Sequence, residues 1–223
     1  MSGSSPAPAA LESALGLVDR VAPVPPALAR RALDEVAAAL PLLAVRQHPL
    51  GFMHVDLEPV SGRAGARLHV WTGTFLAGAD TLGRLHDHVW ELRSAVLAGR
   101  LVDHVLEPEP APLGEHRAYR VRYGPKGNAL EPLPGRWSLR ESAARERGRG
   151  QSYALAPGLV HRTEIVDLPT ATLVLAVAVL GDRGGPSVYV PHGQGPGRAA
   201  DRPPVPRGAA LRAIEQAKQA LDE

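Results

Sequence analysis

Two histidines one residue apart, His86 and His88, are followed much later in the chain by Pro157-Gly158-Leu159-Val160-His161. Side chains at i and i+2 of a β-strand leave the same face, so an extended His86-Asp87-His88 presents two imidazoles to one point. A third imidazole arriving from a separate strand, His161, completes a set of three nitrogen donors. Imidazole suits iron, manganese, nickel, copper or zinc, and ligand identity alone does not choose among them. Three ligands on one face leave positions open for substrate, water or dioxygen. The chain has no cysteine, which removes thiolate ligands, thiol nucleophiles and disulfides from consideration.

Around these residues stand others with weaker claims. Trp90 shares the parity of His86 and His88, so it is expected to face inward and form an apolar pocket wall. His104 shares a strand face with Val102 and Leu106 and is a further candidate for the pocket lining. Tyr153 precedes the Pro-Gly turn and is positioned to donate a hydrogen bond to an oxygen held at a metal. Arg162 follows His161 directly, so alternation sends it to the other face, where a surface ion pair is its expected role. His69 reads as a packed strand residue. His48, His54, His116 and His192 lie near turns or strand ends and read as solvated.

These residues need a scaffold of strands. From Gly51 to about Pro191 short apolar or alternating stretches are punctuated by Gly and Pro. Strands are expected over 52–58, 66–76, 84–89, 93–98, 100–107, 116–123, 136–146, 151–155, 159–166, 171–180 and 187–190. Many short strands with regular turn signals argue for an all-β sandwich or barrel. Ahead of them, Leu28, Leu33, Val36, Ala37 and Leu40 keep helical spacing, with Pro25 and Pro26 where a helix can begin. The expected plan is one domain in three stretches: 1–50, a disordered start and a helical segment; 51–191, the barrel; and 192–223, a linker and helix. Gly193 to Pro206 reads as a surface linker. The closing helix, over 208–222, carries Leu211, Ile214, Ala217 and Leu221 on one stripe.

Composition narrows the function. Charge is nearly balanced at +2 with no Lys/Arg block, which argues against nucleic-acid or membrane-surface partners. Aromatics make up only 4%, so the core must rest on Val, Leu and Ala. The apolar run Ala171 to Leu180 is half the length of roughly 20 residues that a membrane-spanning helix needs, and reads as a buried strand. The start lacks the basic and apolar regions of a secretory signal. A cytoplasmic protein is expected.

The pairing of His86-x-His88 with a later Gly-x-x-His161 resembles the cupin superfamily, small β-barrels with a metal in the mouth. The second half of the pattern matches at Gly150, Pro157, Gly158 and His161, with Ala156 at a usual Pro and Ile165 at a usual Asn. In the first half the usual Glu falls at Leu92 or Arg93. Glu91 is the nearest carboxylate, at an odd offset from His88 that sends it to the opposite face unless a bulge intervenes. Three His ligands are the favoured set, with Glu91 the candidate fourth. The resemblance implies a mainly β, double-stranded β-helix barrel, and it allows a homodimer paired through an edge strand.

Within that superfamily, Leu68-His69-Val70-Trp71 leading through Gly78 to Leu85-His86-Asp87-His88 and Gly99 is similar to three-His dioxygenases of the cysteine dioxygenase type. That likeness implies ferrous iron (Fe2+), a small organic substrate and dioxygen. Those enzymes hold a substrate carboxylate with Arg, for which Arg67 is the candidate here. Two other readings remain open: an oxygen-independent isomerase, epimerase or lyase using the metal as Lewis acid, and a noncatalytic small-molecule binder.

Overall fold

The structure, a computed structural model, describes residues 8–77, 79, 85–124, 127–179, 184–195 and 202–222. Most of the expected disordered start, Gly78, position 84 and Leu180 lie outside them. Two helices come first, α1 (Ala9–Asp19) and α2 (Pro26–Ala39). Pro25 and Pro26 open α2, where a missing N–H costs nothing. N-terminal helices were expected ahead of the barrel, but the apolar spacing marked only the second of them. The first, α1, has no side-chain cap of its own, and Glu35 of α2 supplies one: its carboxylate accepts from the Ala10 and Leu11 amides at 3.1 and 2.7 Å.

Strands β1 (Val45–His48), β2 (Phe52–Asp56) and β3 (Ala66–Trp71) follow, with short helices α3 (Glu58–Ser61) and α4 (Gly73–Leu76) on either side of β3. The expected strand over 66–76 thus stops at Trp71 and turns into α4. Next come β4 (Leu85–His86), β5 (Trp90–Ala98), β6 (Arg100–Pro110), β7 (His116–Gly124) and β8 (Gly127–Pro132). The remaining strands are β9 (Trp137–Gly148), β10 (Ser152–Leu155), β11 (Val160–Ile165), β12 (Thr170–Val179) and β13 (Ser187–Pro191), before α5 (Arg207–Gln219). The sequence pattern did not reveal β1 or β8.

The strands form two antiparallel sheets. One runs β1-β2-β3-β12-β5-β10, the other β13-β4-β11-β6-β9-β7-β8, with β13 also pairing β7. The fold is mainly β, as the punctuation of the sequence implied. In the first sheet the period of two separates two environments. Leu68 and Val70 of β3, Leu173 and Leu175 of β12, and Ala95 and Leu97 of β5 face the helices. There they join Leu11, Leu15, Leu33 and Ile214 in the larger core. Their neighbours Arg67, His69, Val174, Leu92, Ser94 and Val96 alternate to the other face, toward the second sheet.

The run from Ala171 is central, flanked by β3 and β5, so it offers no edge for pairing. Part of the expected surface linker also has a structural role. The Gln47 amide donates to Pro203 and the Val205 amide donates to Val45, each near 3 Å (2.9 and 3.0 Å), which covers the free edge of β1. In α5 the buried stripe is Ala210, Ala213, Ile214 and Ala217, rotated slightly from the expected one.

Because Glu35 satisfies two amides that nothing else in α1 caps, Glu35→Ala should destabilise the fold by about 1–2 kcal/mol. Urea denaturation followed by circular dichroism measures this. A midpoint and slope equal to wild type would show that water caps α1 as well as the carboxylate does.

Candidate metal centre

The short strand β4 pairs with β11 so that His86 and His161 stand directly opposite each other. The ladder ends there. Residues 87–89 leave the strand, so the expected regular strand over 84–89 is not formed beyond His86 and His88 is not placed by strand alternation. Its loop is fixed by hydrogen bonds instead. The Gly158 amide donates to the His88 carbonyl at 2.7 Å. The Asp87 amide donates to the Ser187 carbonyl at 3.0 Å, and the buried Asp87 carboxylate accepts from the Ser187 amide at 2.6 Å. Gly158 sits at φ 80°, a left-handed conformation that favours glycine and aims its N–H at the His88 loop.

These constraints gather three imidazoles. One ring nitrogen from each of His86, His88 and His161 lies within 4.8 Å of the others. The Nε2 atoms of His88 and His161 are 3.1 Å apart. Small ring rotations bring such a set to the roughly 2.0–2.1 Å bonds that imidazole makes to zinc-sized ions. The Nδ1 of His161 lies 3.2 Å from Oδ1 of buried Asp103. That contact puts the hydrogen on Nδ1 and leaves Nε2 as the lone-pair donor facing the cluster. Burial, then the neighbouring His86 and His161, hold the His88 pKa well below the ordinary imidazole range. It is neutral at neutral pH, the form that binds metal.

The wall beside the cluster is lined with rings. His88 stacks on Trp90 with centroids 4.1 Å apart, and the Arg67 guanidinium lies 5.0 Å from the Trp90 centroid on the same sheet face. Further along that face His48 stacks on Phe52 at 4.2 Å, and Phe52 meets His69 and Trp71 at 4.5 and 4.8 Å. His54 packs against His69 at 5.4 Å. His48 and His54 are therefore not solvated, as their nearness to turns had implied. Burial is the largest cause of their lowered pKa values and of that of His69; the positive charges of Arg67 and Arg202 lower all three further. The His54 value falls to about 4.

The other candidates divide by strand parity. Glu91 turns to the helix side of β5, where it accepts from Arg93 at 2.5 Å; Arg93 in turn reaches Asp19 at 2.7 Å. The carboxylate does not join the imidazoles. His104 does not line the pocket. It points out of the opposite face of β6 and lies 2.9 Å from Glu141 and 3.1 Å from Glu164, with Arg162 beside it. Arg162 thus has the surface pairing expected of it. Tyr153 is buried in an apolar cluster with Leu92, Val96 and Leu155, and Trp90 packs against that cluster. Burial, with the charge of Asp103, pushes its pKa well up, while Arg147 covers its ring at 5.2 Å. Among the described residues its neighbours are this apolar cluster and Arg147, not the three imidazoles. Sequence reasoning missed Asp103, although the alternation Leu101-Asp103-Val105 opposite the His104 face marked it as inward-facing.

No family model matches the chain, and no curated protein does. Solved structures that it resembles include hydroquinone 1,2-dioxygenase PnpCD in complex with Cd2+ and 4-hydroxybenzonitrile, at 17% identity and a TM-score of 0.30, covering 52% of this chain and 60% of that one. Oxalate oxidase in complex with glycolate matches at 17% identity and a TM-score of 0.31, over 78% of this chain and 71% of that one. Procruciferin, an 11S globulin from Brassica napus, matches at 12% identity and a TM-score of 0.33, over 81% and 46%. The chain spans 60% and 62% of two hydroquinone dioxygenase chains that it matches. Likenesses this remote leave the assignment to the site itself. Among the described residues no helix is long and apolar enough to cross a membrane.

Single replacements His86→Ala, His88→Ala and His161→Ala should each remove most bound divalent metal while the barrel stays folded; Glu91→Gln should keep it. Metal analysis of purified variants against their circular dichroism spectra checks both. Metal loss in Glu91→Gln comparable to His86→Ala would bring the carboxylate back as a ligand.

His54 adds a pH dependence. Its folded-state pKa of about 4 lies below the 6.5 of a free imidazole, so the unfolded chain takes up the proton first. Its contribution is therefore fully present above 6.5 and is lost as pH falls toward 4. His54→Asn should reduce the stability lost between about pH 7 and about pH 4.5, read from urea midpoints. An equal loss in the variant would place the acid sensitivity elsewhere.

Proposed function

We propose that this chain is a cupin-type, metal-dependent oxygenase acting on a small organic molecule, with ferrous iron held by His86, His88 and His161. The observation that carries the reading is the convergence of three imidazoles beside a wall of rings, with no carboxylate among the donors found in the described residues. Neutral ligands leave the full positive charge of the ion available to an anionic or chelating substrate group. When bound, ferrous iron supplies the redox-active centre at which dioxygen and substrate react. A dioxygenase balances without another reductant, since both oxygen atoms enter the substrate.

The chain's own residues supply the rest. Trp90 and Leu92 form an apolar wall that limits water near the cluster. Arg67 holds a positive charge over Trp90, on the side of the barrel where a substrate anion would approach. Tyr153, kept protonated by burial, packs behind that wall with Leu92, Val96 and Leu155 and does not serve as a base. A metal-assisted isomerase or lyase is the second reading. The same three-imidazole set would serve it, because a Lewis-acid ion held there needs no dioxygen.

The test starts from anaerobic purification and reconstitution with ferrous iron. Oxygen uptake is then followed against a panel of small carboxylic acids, thiols and phenols. Uptake that requires both ferrous iron and one organic substrate is the expected outcome. Full turnover without oxygen, or equal activity with zinc, would overturn the oxygenase in favour of the isomerase or lyase.

A further inference from the structure

We infer that Asp103 is a positioning residue for the metal centre: its carboxylate fixes the orientation and tautomer of His161 and supplies the negative charge that a bound cation balances. The inference rests on the metal-centre reading above and deepens it.

Asp103 lies in the middle of β6 with 1% of its surface exposed. On β6 it stands between Leu101 and Val105, both turned toward the barrel interior. The ladder sets Val105 opposite His161 and Asp103 opposite Thr163, so Asp103 and His161 are diagonal neighbours on one face. Among the described residues its carboxylate bonds to His161 Nδ1. That is an unusual arrangement for a carboxylate serving stability alone. A buried charge is costly unless a counter-charge compensates it, and its hydrogen-bonding partner here is an imidazole, not an Arg or Lys.

The other side of that imidazole resolves the difficulty. Its Nε2 faces His86 and His88, where a divalent cation would sit. Carboxylate, imidazole and cation then form a line in which negative and positive charge compensate through the ring. The carboxylate accepts the Nδ1 hydrogen, so the alternative tautomer, with hydrogen on Nε2 and no donor toward the metal, is disfavoured. Partners of this kind orient a ligand and strengthen it as a donor, and losing one costs about 10–100-fold in metal affinity.

A role in metal binding and a role in stability alone predict different outcomes. If Asp103 served only to hold the fold, Asp103→Asn would lower the melting temperature of the metal-free protein. If it serves the metal, the nearly isosteric Asn removes a poorly compensated charge from the metal-free protein and leaves that temperature unchanged or higher. Wild type, Asp103→Asn and Asp103→Ala are titrated with Co2+ and Zn2+ against a chelator of known affinity, and the visible bands of bound Co2+ are recorded. The expected result is metal binding weaker by about 10–100-fold in Asp103→Asn, altered Co2+ bands and no fall in the metal-free melting temperature. Should Asp103→Ala fail to fold, Asp103→Asn decides alone. Affinities equal to wild type, or a metal-free melting temperature that falls together with affinity, would overturn the inference. A wild-type protein that binds neither ion would end the metal-centre reading and this one together; normal wild-type binding with an unaffected Asp103→Asn would end this one only.

Discussion

The site depends on the place where β4 runs out against β11. One ladder pair sets His86 opposite His161, and one residue later the chain leaves the sheet. From there the position of His88 rests on hydrogen bonds from outside its own strand. Gly158, in the turn that leads into His161, donates to the His88 carbonyl, so the two distant histidine segments are tied by their backbones as well as by their rings. Asp87 bonds back to Ser187 with both its amide and its carboxylate and prevents the intervening residue from pivoting. A ligand in a loop held this way needs no strand geometry behind it. It does need every one of these backbone partners to be satisfied, because in a buried segment an unmade hydrogen bond costs about 1–3 kcal/mol.

Strand parity then divides the chemistry from the scaffold. On β5, Trp90 and Leu92 join the apolar cluster around Tyr153 while Glu91 and Arg93 face α1. The Arg93 guanidinium links Glu91 to Asp19 at the end of that helix, which puts these charges to use in docking a helix and keeps the carboxylate away from the imidazoles. The same rule operates on β6, where Asp103 turns inward to His161 and His104 turns outward to Glu141 and Glu164. Adjacent residues of similar chemical promise end up on opposite faces with unrelated roles.

Much of this was legible in the residues. Periodicity and punctuation gave the β architecture, and the identity of the three clustered histidines followed from types and spacing. What escaped was governed by tertiary context. The brevity of β4 could not be read, because residues 87–89 alternate as well as any strand and are held off the ladder by partners in the turn before β11 and on β13. His48 and His54 looked solvated because turns flank them; cross-strand pairing of β2 with β3 instead lays His54 against His69. His104 was expected inward with Val102 and Leu106, whereas the face that turns to His161 is the one that carries Asp103. The α1 cap was invisible for another reason: its carboxylate comes from Glu35, a helix away in sequence.

The row of half-buried imidazoles raises an energetic question. Placing a protonated histidine inside a barrel near Arg67, Arg202 and a metal cation would stack like charges in a medium of low polarity. Burial removes that conflict by keeping His48, His54, His69 and His88 neutral. Neutral imidazole retains a donor and an acceptor, so these rings can satisfy one another, backbone groups or a polar substrate without adding net charge. The His48 ring does so already, accepting the Leu50 amide at 3.2 Å through Nδ1. Among the described residues, buried Asp87 accepts from the Ser187 amide and buried Asp103 bonds to His161. Asp103 stands behind His161, so its field reaches the cluster through that ring.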